Sequence, residues 1–181
     1  GKMIYSTKYE SPLGKMTVAS DGDSIVGLWK EGQKHYGGTL KEKMTEFDDL
    51  PAFVDAVKWL DMYFSGHKPS IDDLSLAPVG GEFRQAVWKI LCDIPYGKVI
   101  TYGDIAKKMS AESDGAGMSA RAVGGAVGHN PISIIIPCHR VIGANGSLTG
   151  YAGGMNMKIR LLEHEGTDMS GMRVPREGTA I

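Results

Sequence analysis

Two cysteines, Cys92 and Cys138, are all that this 181-residue chain contains. Neither belongs to a C-x-x-C pair, which excludes a disulfide framework and argues against a structural zinc site. Neither a metal nor a cofactor is expected. Charge of one sign is also lacking, because 20 Lys and Arg stand against 21 Asp and Glu for a net of −1, so composition does not announce a polyanion binder. The longest apolar run, Ile134-Ile135-Ile136 with its neighbours, is far shorter than the roughly 20 residues that a bilayer span needs. The opening stretch GKMIYSTKYE holds no apolar signal segment. A reduced, cytoplasmic setting away from membranes is the expectation. What is present is ordinary globular material, 42% hydrophobic and 23% charged, sufficient for one or two domains with a proper core.

Charge is unevenly spread. Residues 1–80 hold nine Lys and Arg against twelve Asp and Glu, whereas residues 81–166 hold nine against seven. The later part is mildly basic, a bias that solvated faces commonly show. KMIYSTKYE, GKMTVAS and SIVGLWK are short, rich in Val, Ile, Tyr and Thr, and separated by the turn signals SPLG and DGD, which predicts an antiparallel meander. From Pro51, Phe53, Val57, Leu60 and Phe64 recur at helical spacing up to a stop at Gly66, predicting one amphipathic helix over that sheet. Gly66 to Gly81 has no period and reads as an interdomain connection.

A second domain begins near Gly81. Its first helix carries Phe83, Val87, Leu91 and Ile94 on one side, with Cys92 as a small core residue. Thr101 and Asp104 suit the start of the next helix. Ser119 suits that of a third, in which Ala120, Val123 and Val127 form an apolar stripe and Asn130-Pro131 is the end. The two short helices suggest a helix-turn-helix. In the second of them Ala122, Gly124, Gly125, Ala126 and Gly128 leave one side almost bare. Interior glycines cost roughly 1 kcal/mol each relative to Ala, so another backbone, either a neighbouring helix or a nucleic-acid strand, is expected to approach closely. ISIII reads as a buried strand, Asn145-Gly146 as a two-residue hairpin turn, and Met155, Ile159 and Leu162 as the inward face of a last helix. Residues 168–181 read as a loosely held tail. No internal repeat is visible.

Cys138 sits where the apolar run ends at Pro137, directly before His139. A thiolate is the reactive form of cysteine, and an imidazole can draw off the proton. Successive side chains on a strand point to opposite faces, so the backbone must bend here or a water must bridge. Glu165 lies where a helix dipole disfavours an anion, which suggests an acid retained to orient a cation or a histidine. Together these three supply nucleophile, base and orienter. The chemistry alone leaves hydrolase and transferase both open.

Asn130 to Gly166, NPISIIIPCHRVIGANGSLTGYAGGMNMKIRLLEHEG, resembles the active-site region of the O6-alkylguanine-DNA alkyltransferases, and VWKILCDIPYGKVITYGDIA and RAVGGAVGHNP resemble the segments before it. The Pro-Cys-His-Arg core is highly specific, and the match runs from about Phe83 to Gly166. The resemblance implies an α+β protein. Residues 1–75 would be a ribonuclease-H-like antiparallel sheet with a helix. Residues 81–167 would be a mostly helical, winged-helix-like domain with the helix-turn-helix and the alkyl acceptor, followed by the tail 168–181. It further implies irreversible, single-turnover transfer of the alkyl group from O6-alkylguanine, and O4-alkylthymine, in double-stranded DNA to Cys138 after base flipping, by a monomer.

By position, the resemblance makes His139 the base acting through a water, Glu165 its orienter, and Asn130 the residue that fixes the cysteine turn. Arg121 would fill the gap left by the flipped guanine, and Tyr102 would rotate the target phosphate and donate to the purine. Val141, Tyr151 and Ala152 would line the base pocket. The helix from Ser119 through Ala120 and Gly124 would enter the minor groove, which accounts for its bare face. The turn from Ser110 to Met118 is longer than in many relatives. No Cys-rich zinc segment precedes the sheet, so no fused regulatory domain of that kind is expected. The alternative function is a non-catalytic helix-turn-helix binder of damaged DNA. Cys138 at the acceptor position favours reaction, since the related alkyltransferase-like proteins lack a cysteine there.

Overall fold

Alternating Tyr, Thr, Val and Met build the sheet. β1 (Ile4–Ser11) and β2 (Gly14–Ser20) pair antiparallel, and β3 (Ile25–Lys30) joins the far side of β2 in the same sense. This is the meander that the turn signals predict. A short fourth strand, β4 (Met44–Glu46), lies parallel to β1 and gives the order β3-β2-β1-β4. One edge thus departs from the antiparallel expectation, because three half-polar residues offer no period to read. The computed structural model describes residues 3–38, 40, 42–112 and 119–175. It divides into two units, Gly1–Gly80 with Pro131–Ile135, and Gly81–Asn130 with Ile136–Ile181.

In the first unit α1 (Pro51–Phe64) starts at Pro51, whose missing N–H costs nothing there, and ends before Gly66 at φ 91°. Its buried face is Phe53, Ala56, Trp59, Leu60 and Tyr63, while Val57 and Phe64 are only half-buried. The stripe is turned toward the larger rings, Trp59 and Tyr63, which stack with centroids 5.7 Å apart. Trp59 Nε1 donates to the Ser70 carbonyl at 2.9 Å. Beyond it the chain pairs with β3, Ile25 N donating to Ser75 O and Ala77 N to Ile25 O, each at 2.8 Å. The stretch expected as a connection is therefore mostly part of the first unit.

The run from Ile132 to Ile136 is buried, as its composition demands, but it is not a strand. Only Ile132 bridges, to Leu28, and Ile134 takes φ 69°, a left-handed conformation that breaks extension and is unusual for a β-branched residue. Hydrophobicity reads burial here, not backbone shape.

In the second unit α2 (Glu82–Cys92) buries Val87, Trp88, Ile90 and Leu91, with Cys92 half-buried. Trp88 Nε1 donates to the Ala126 carbonyl at 2.9 Å, tying α2 to α4 (Ala120–Gly128). α3 (Tyr102–Glu112) opens on a reciprocal cap, Asp104 N donating to Thr101 Oγ1 at 3.0 Å and Thr101 N to Asp104 Oδ2 at 2.9 Å. Ser119 Oγ caps α4 by accepting from Ala122 N at 3.0 Å. Val123, Ala126 and Val127 are buried, whereas Ala120 is exposed and leaves the expected stripe. α3 and α4, the two short helices read as a helix-turn-helix, pack on each other; the connection between them, residues 113–118, lies outside the described residues.

A two-stranded parallel ladder organises the site. β5 (Ile100–Thr101) pairs with β6 (Val141–Ile142) in the register Ile100–Val141 and Thr101–Ile142. β5 runs straight into Tyr102, and β6 follows directly on Arg140. The Asn145-Gly146 turn is real, with φ 60° and 78°, but it closes a loop in which Gly143 N donates to Ser147 O at 2.7 Å instead of joining antiparallel strands. α5 (Met155–His164) buries Met157, Lys158, Leu161 and Leu162, with Met155 and Ile159 only partly covered. The tail is tied down as far as Arg173, since Leu148 N donates to Arg173 O and Arg173 N to Gly146 O, each at 2.9 Å, and Met169 and Met172 pack on Ile142, Leu148 and Leu162. Residues 176–181 lie outside the described residues. Among the described residues no helix is long and apolar enough to cross a membrane.

Candidate active site

After Pro137 the chain winds into a short 3-10 turn, Cys138–Arg140, and this is the bend that adjacent Cys and His require. Cys138 is 7% exposed and His139 is fully buried. Asn130, at the end of α4, donates through Nδ2 to the Ile136 carbonyl at 2.8 Å and also hydrogen-bonds the thiol. Glu165 caps the C-terminus of α5 and accepts from His139 Nε2 at 2.7 Å. Cys138, His139, Glu165 and Asn130, drawn from three places in the sequence, are thus brought together.

The protonation states follow from that geometry. Burial alone would raise the Glu165 carboxyl, but the bonds and charges of His139 and Arg140 together outweigh it and hold the group well below the usual carboxylate range. An ionised Glu165 accepts, so His139 Nε2 carries the hydrogen and Nδ1 keeps the lone pair. Nδ1 has no hydrogen-bond partner among the described residues. Burial pulls His139 below its ordinary value despite Glu165, leaving a neutral base. Burial likewise pushes the Cys138 thiol up, opposed by the Asn130 bond, the Lys158 charge and the backbone N–H groups of Cys138 and His139. The resting group is a thiol whose thiolate has stabilising contacts already in place.

A cavity of about 890 Å³ opens in the same unit, lined by Thr101, Tyr102, Gly103, Ala120, Arg121, Gly124, Ala144, Thr149 and Gly150. Arg121 is exposed on the first turn of α4. Tyr102 donates from its hydroxyl to the Thr149 carbonyl at 2.9 Å, and burial with the Cys138 charge pushes its hydroxyl up to about 12, so it stays a donor. Gly150, at φ 83°, must be glycine, because a Cβ there would lie 2.3 Å from the Tyr102 hydroxyl. Val141 and Tyr151 are buried, the Tyr151 ring standing edge-on to His139 at 6.5 Å, and Ala152 is half-buried; none of the three lines the cavity. Ser119 serves as the cap of α4. Among the described residues the bare side of α4 is open only in part: Cβ atoms at Gly125 and Gly128 would meet nothing within 4 Å, one at Gly124 would meet Tyr102 of α3 at 3.9 Å, and Ala126 is buried against Trp88 of α2.

Two residues of the site were not singled out by the sequence patterns. Lys158 is completely buried and donates through Nζ to the Val141 carbonyl and, at 2.7 Å, to the Thr149 carbonyl. Burial lowers it to about 8, with the Cys138 charge opposing. A lysine beside the apolar positions of α5 is the signal that could have marked it. Arg140, within the quoted Pro-Cys-His-Arg core, forks onto Glu165. Among the described residues no group of three or more His, Cys, Asp or Glu is placed to hold a metal.

A buried thiol beside an imidazole and a carboxylate, in a unit that also carries two short packed helices and an open cavity, is the build of a cysteine-dependent, nucleic-acid-binding class of protein. Residues 4–78 match the family model described as 6-O-methylguanine DNA methyltransferase, ribonuclease-like domain, and residues 82–167 the one described as its DNA binding domain. The chain belongs to the 6-O-methylguanine DNA methyltransferase family. Relatives named methylated-DNA–protein-cysteine methyltransferase include that of Haemophilus influenzae, 40% identical over 90% of this chain and 86% of that protein. That of Mycobacterium tuberculosis is 45% identical over 90% and 93%. The crystal structure of the M. tuberculosis OGT in complex with DNA superposes with a TM-score of 0.76 at 45% identity, covering 89% of this chain and 92% of that one.

Proposed function

We propose that this protein repairs DNA by direct reversal, moving the alkyl group of O6-alkylguanine in duplex DNA onto Cys138, once per molecule. The observation that carries the reading is the buried Cys138–His139–Glu165 arrangement, in the same unit as the cavity lined by the first turns of α3 and α4. The thiol proton passes to His139 Nδ1, directly or through a water. The sulfur attacks the alkyl carbon, an S–C bond forms, and the C–O6 bond breaks with its electron pair staying on the purine, which then takes up a proton. The product is a thioether, a poor leaving group, and the other cysteine, Cys92, is on α2, so nothing restores the thiol. One chain supplies every group named, which fits a monomer.

The alkylated oxygen is inside the base stack, so the nucleotide must be flipped out at a cost of a few kcal/mol, with a side chain filling the gap. Arg121 stands at the rim of the cavity, where it can fill the gap and attract phosphate. The open Gly125 and Gly128 side of α4 leaves room for a DNA strand, and Tyr102, which lines the cavity, would face the base. Duplex DNA carrying one labelled O6-methylguanine should transfer a single methyl to the peptide containing Cys138, in stoichiometric yield and without turnover. A protein that binds this DNA and gains no mass is a binder only.

Arg121→Ala should slow transfer from duplex DNA about tenfold or more, given the cost of flipping, and leave transfer from the free alkylated base nearly unchanged. Tyr102→Phe should show the same bias. Its lost bond costs about 1 kcal/mol, and the Thr149 carbonyl keeps Lys158. Single-turnover rates on both substrates check this; equal losses on duplex and free base would count against both roles.

A further inference from the structure

Arg140 directly follows the nucleophile and the base, yet the reaction as written does not use it. Its buried guanidinium points every nitrogen at a partner. Nε donates to Glu165 Oε1 at 2.8 Å, Nη2 to Glu165 Oε2 at 3.0 Å, and Nη1 to the Ile94 carbonyl at 2.7 Å. The Tyr96 ring faces its Cζ at 5.6 Å, and Gly97 N adds a further bond to Glu165 Oε1 at 3.0 Å. The same carboxylate that orients His139 is therefore already neutralised by a cation that cannot lose its proton.

We infer that Arg140 is a positioning residue for alkyl transfer, forking onto Glu165 so that the carboxylate holds His139 in place without drawing a proton onto it. The inference rests on the proposal that His139 is the base, but the state of the imidazole can be measured with no transfer at all.

A buried carboxylate with imidazole as its only cationic partner would favour the imidazolium, because an ion pair is better than a lone buried charge. An imidazolium cannot accept the Cys138 proton. With Arg140 present, both carboxylate oxygens have a charged donor, and a second cation at His139 would be repelled. The other groups around the ring point the same way. Cys138 rests as a neutral thiol, Tyr151 presents its ring edge-on, and Lys158 from α5 adds positive charge. Glu165 alone favours imidazolium, while burial, Arg140 and Lys158 oppose it.

The full chain with 15N-labelled histidine, followed by NMR against pH, tests this. In the parent protein His139 should remain the neutral Nε2–H tautomer at pH 7 and below its ordinary titration range. In Arg140→Met the imidazolium should persist about 1 pH unit or more higher, and the acid limb of methyl transfer from O6-methylguanine duplex should move with it. Arg140→Lys should bring the limb back toward the parent position while the plateau rate stays low, since a point charge cannot fork onto both oxygens. An unmoved limb in a folded Arg140→Met, with the rate merely scaled down at every pH, would mean a structural role only. Should Arg140→Met not fold, Arg140→Lys decides: a limb shifted by the full unit overturns the inference, as does a parent His139 found protonated at pH 7. Absence of any transfer from DNA would sink the proposed function and leave the imidazole titration to judge Arg140.

Discussion

Replacing Glu165 with glutamine should cut the rate of methyl transfer by a factor on the order of 10²–10⁴, the range a positioned general base contributes, and should destabilise the second unit severely. Glu165 accepts four N–H bonds, from His139 Nε2, Arg140 Nε, Arg140 Nη2 and Gly97 N. Glutamine has one oxygen to offer, and its amide hydrogens would face donors. Arg140 would also be left buried without a counter-charge, and breaking one side of a buried ion pair costs about 3–5 kcal/mol of a total stability of roughly 5–15 kcal/mol. The pH dependence carries a matching sign. The Glu165 carboxyl is held below its ordinary value of 4.5, so its stabilisation is complete above that value and is lost as pH falls through the depressed folded range. Thermal melts at several pH values should show the parent protein weakening with acid by more than Glu165→Gln does. Folded Glu165→Gln that transfers methyl at the parent rate would remove Glu165 from the orienting role.

The sequence was most legible where a single period or a single motif carried the information. The β1–β3 meander, the start and stop of α1, the Thr101 and Ser119 caps and the bend at Cys138 all follow from local residues, and local residues suffice to build them. It was least legible where a position is decided by something distant. Ile132 to Ile136 read as a strand because burial and extension share one composition, yet pairing with β3 stops at the bridge to Leu28, after which Ile134 turns left-handed. β4 was missed since its partner β1 supplies the pairing. Lys158 was passed over because a lysine is taken for a solvated residue until two carbonyls, at Val141 and Thr149, are found waiting for it. The cysteine, histidine and glutamate were found by chemistry, whereas Arg140 acquires meaning only once the fork onto Glu165 is seen.

Methylated protein should melt several degrees lower than the unreacted form. Cys138 occupies a nearly closed site, 7% exposed, with the Asn130 side chain hydrogen-bonded to its sulfur. One extra methyl in a well-packed site costs typically about 1–3 kcal/mol. A thioether is also a poorer acceptor than the sulfur it replaces, and a donor left buried without a partner costs about 1–3 kcal/mol. For a chain of this size each kcal/mol lowers the melting temperature by about 2–4 °C, so a drop on the order of 5 °C is expected. The disturbance should travel first to α4. Asn130 hydrogen-bonds the sulfur with its side chain while its own backbone N–H donates to Val127 O at 3.2 Å, so a shifted Asn130 pulls on the last turn of that helix. That turn contains Gly125 and Gly128, each about 1 kcal/mol less favourable than alanine, and Cβ atoms at either would touch nothing within 4 Å, so it is held mainly through buried Ala126 and Val127 and the Trp88 bond to the Ala126 carbonyl. Amide hydrogens of residues 123–130 should therefore exchange faster after complete methylation, while those of β1 to β3 in the first unit stay as they were. Unchanged melting and unchanged exchange in α4 would show that the pocket has slack for the methyl group, and that Asn130 does not couple the acceptor to the helix.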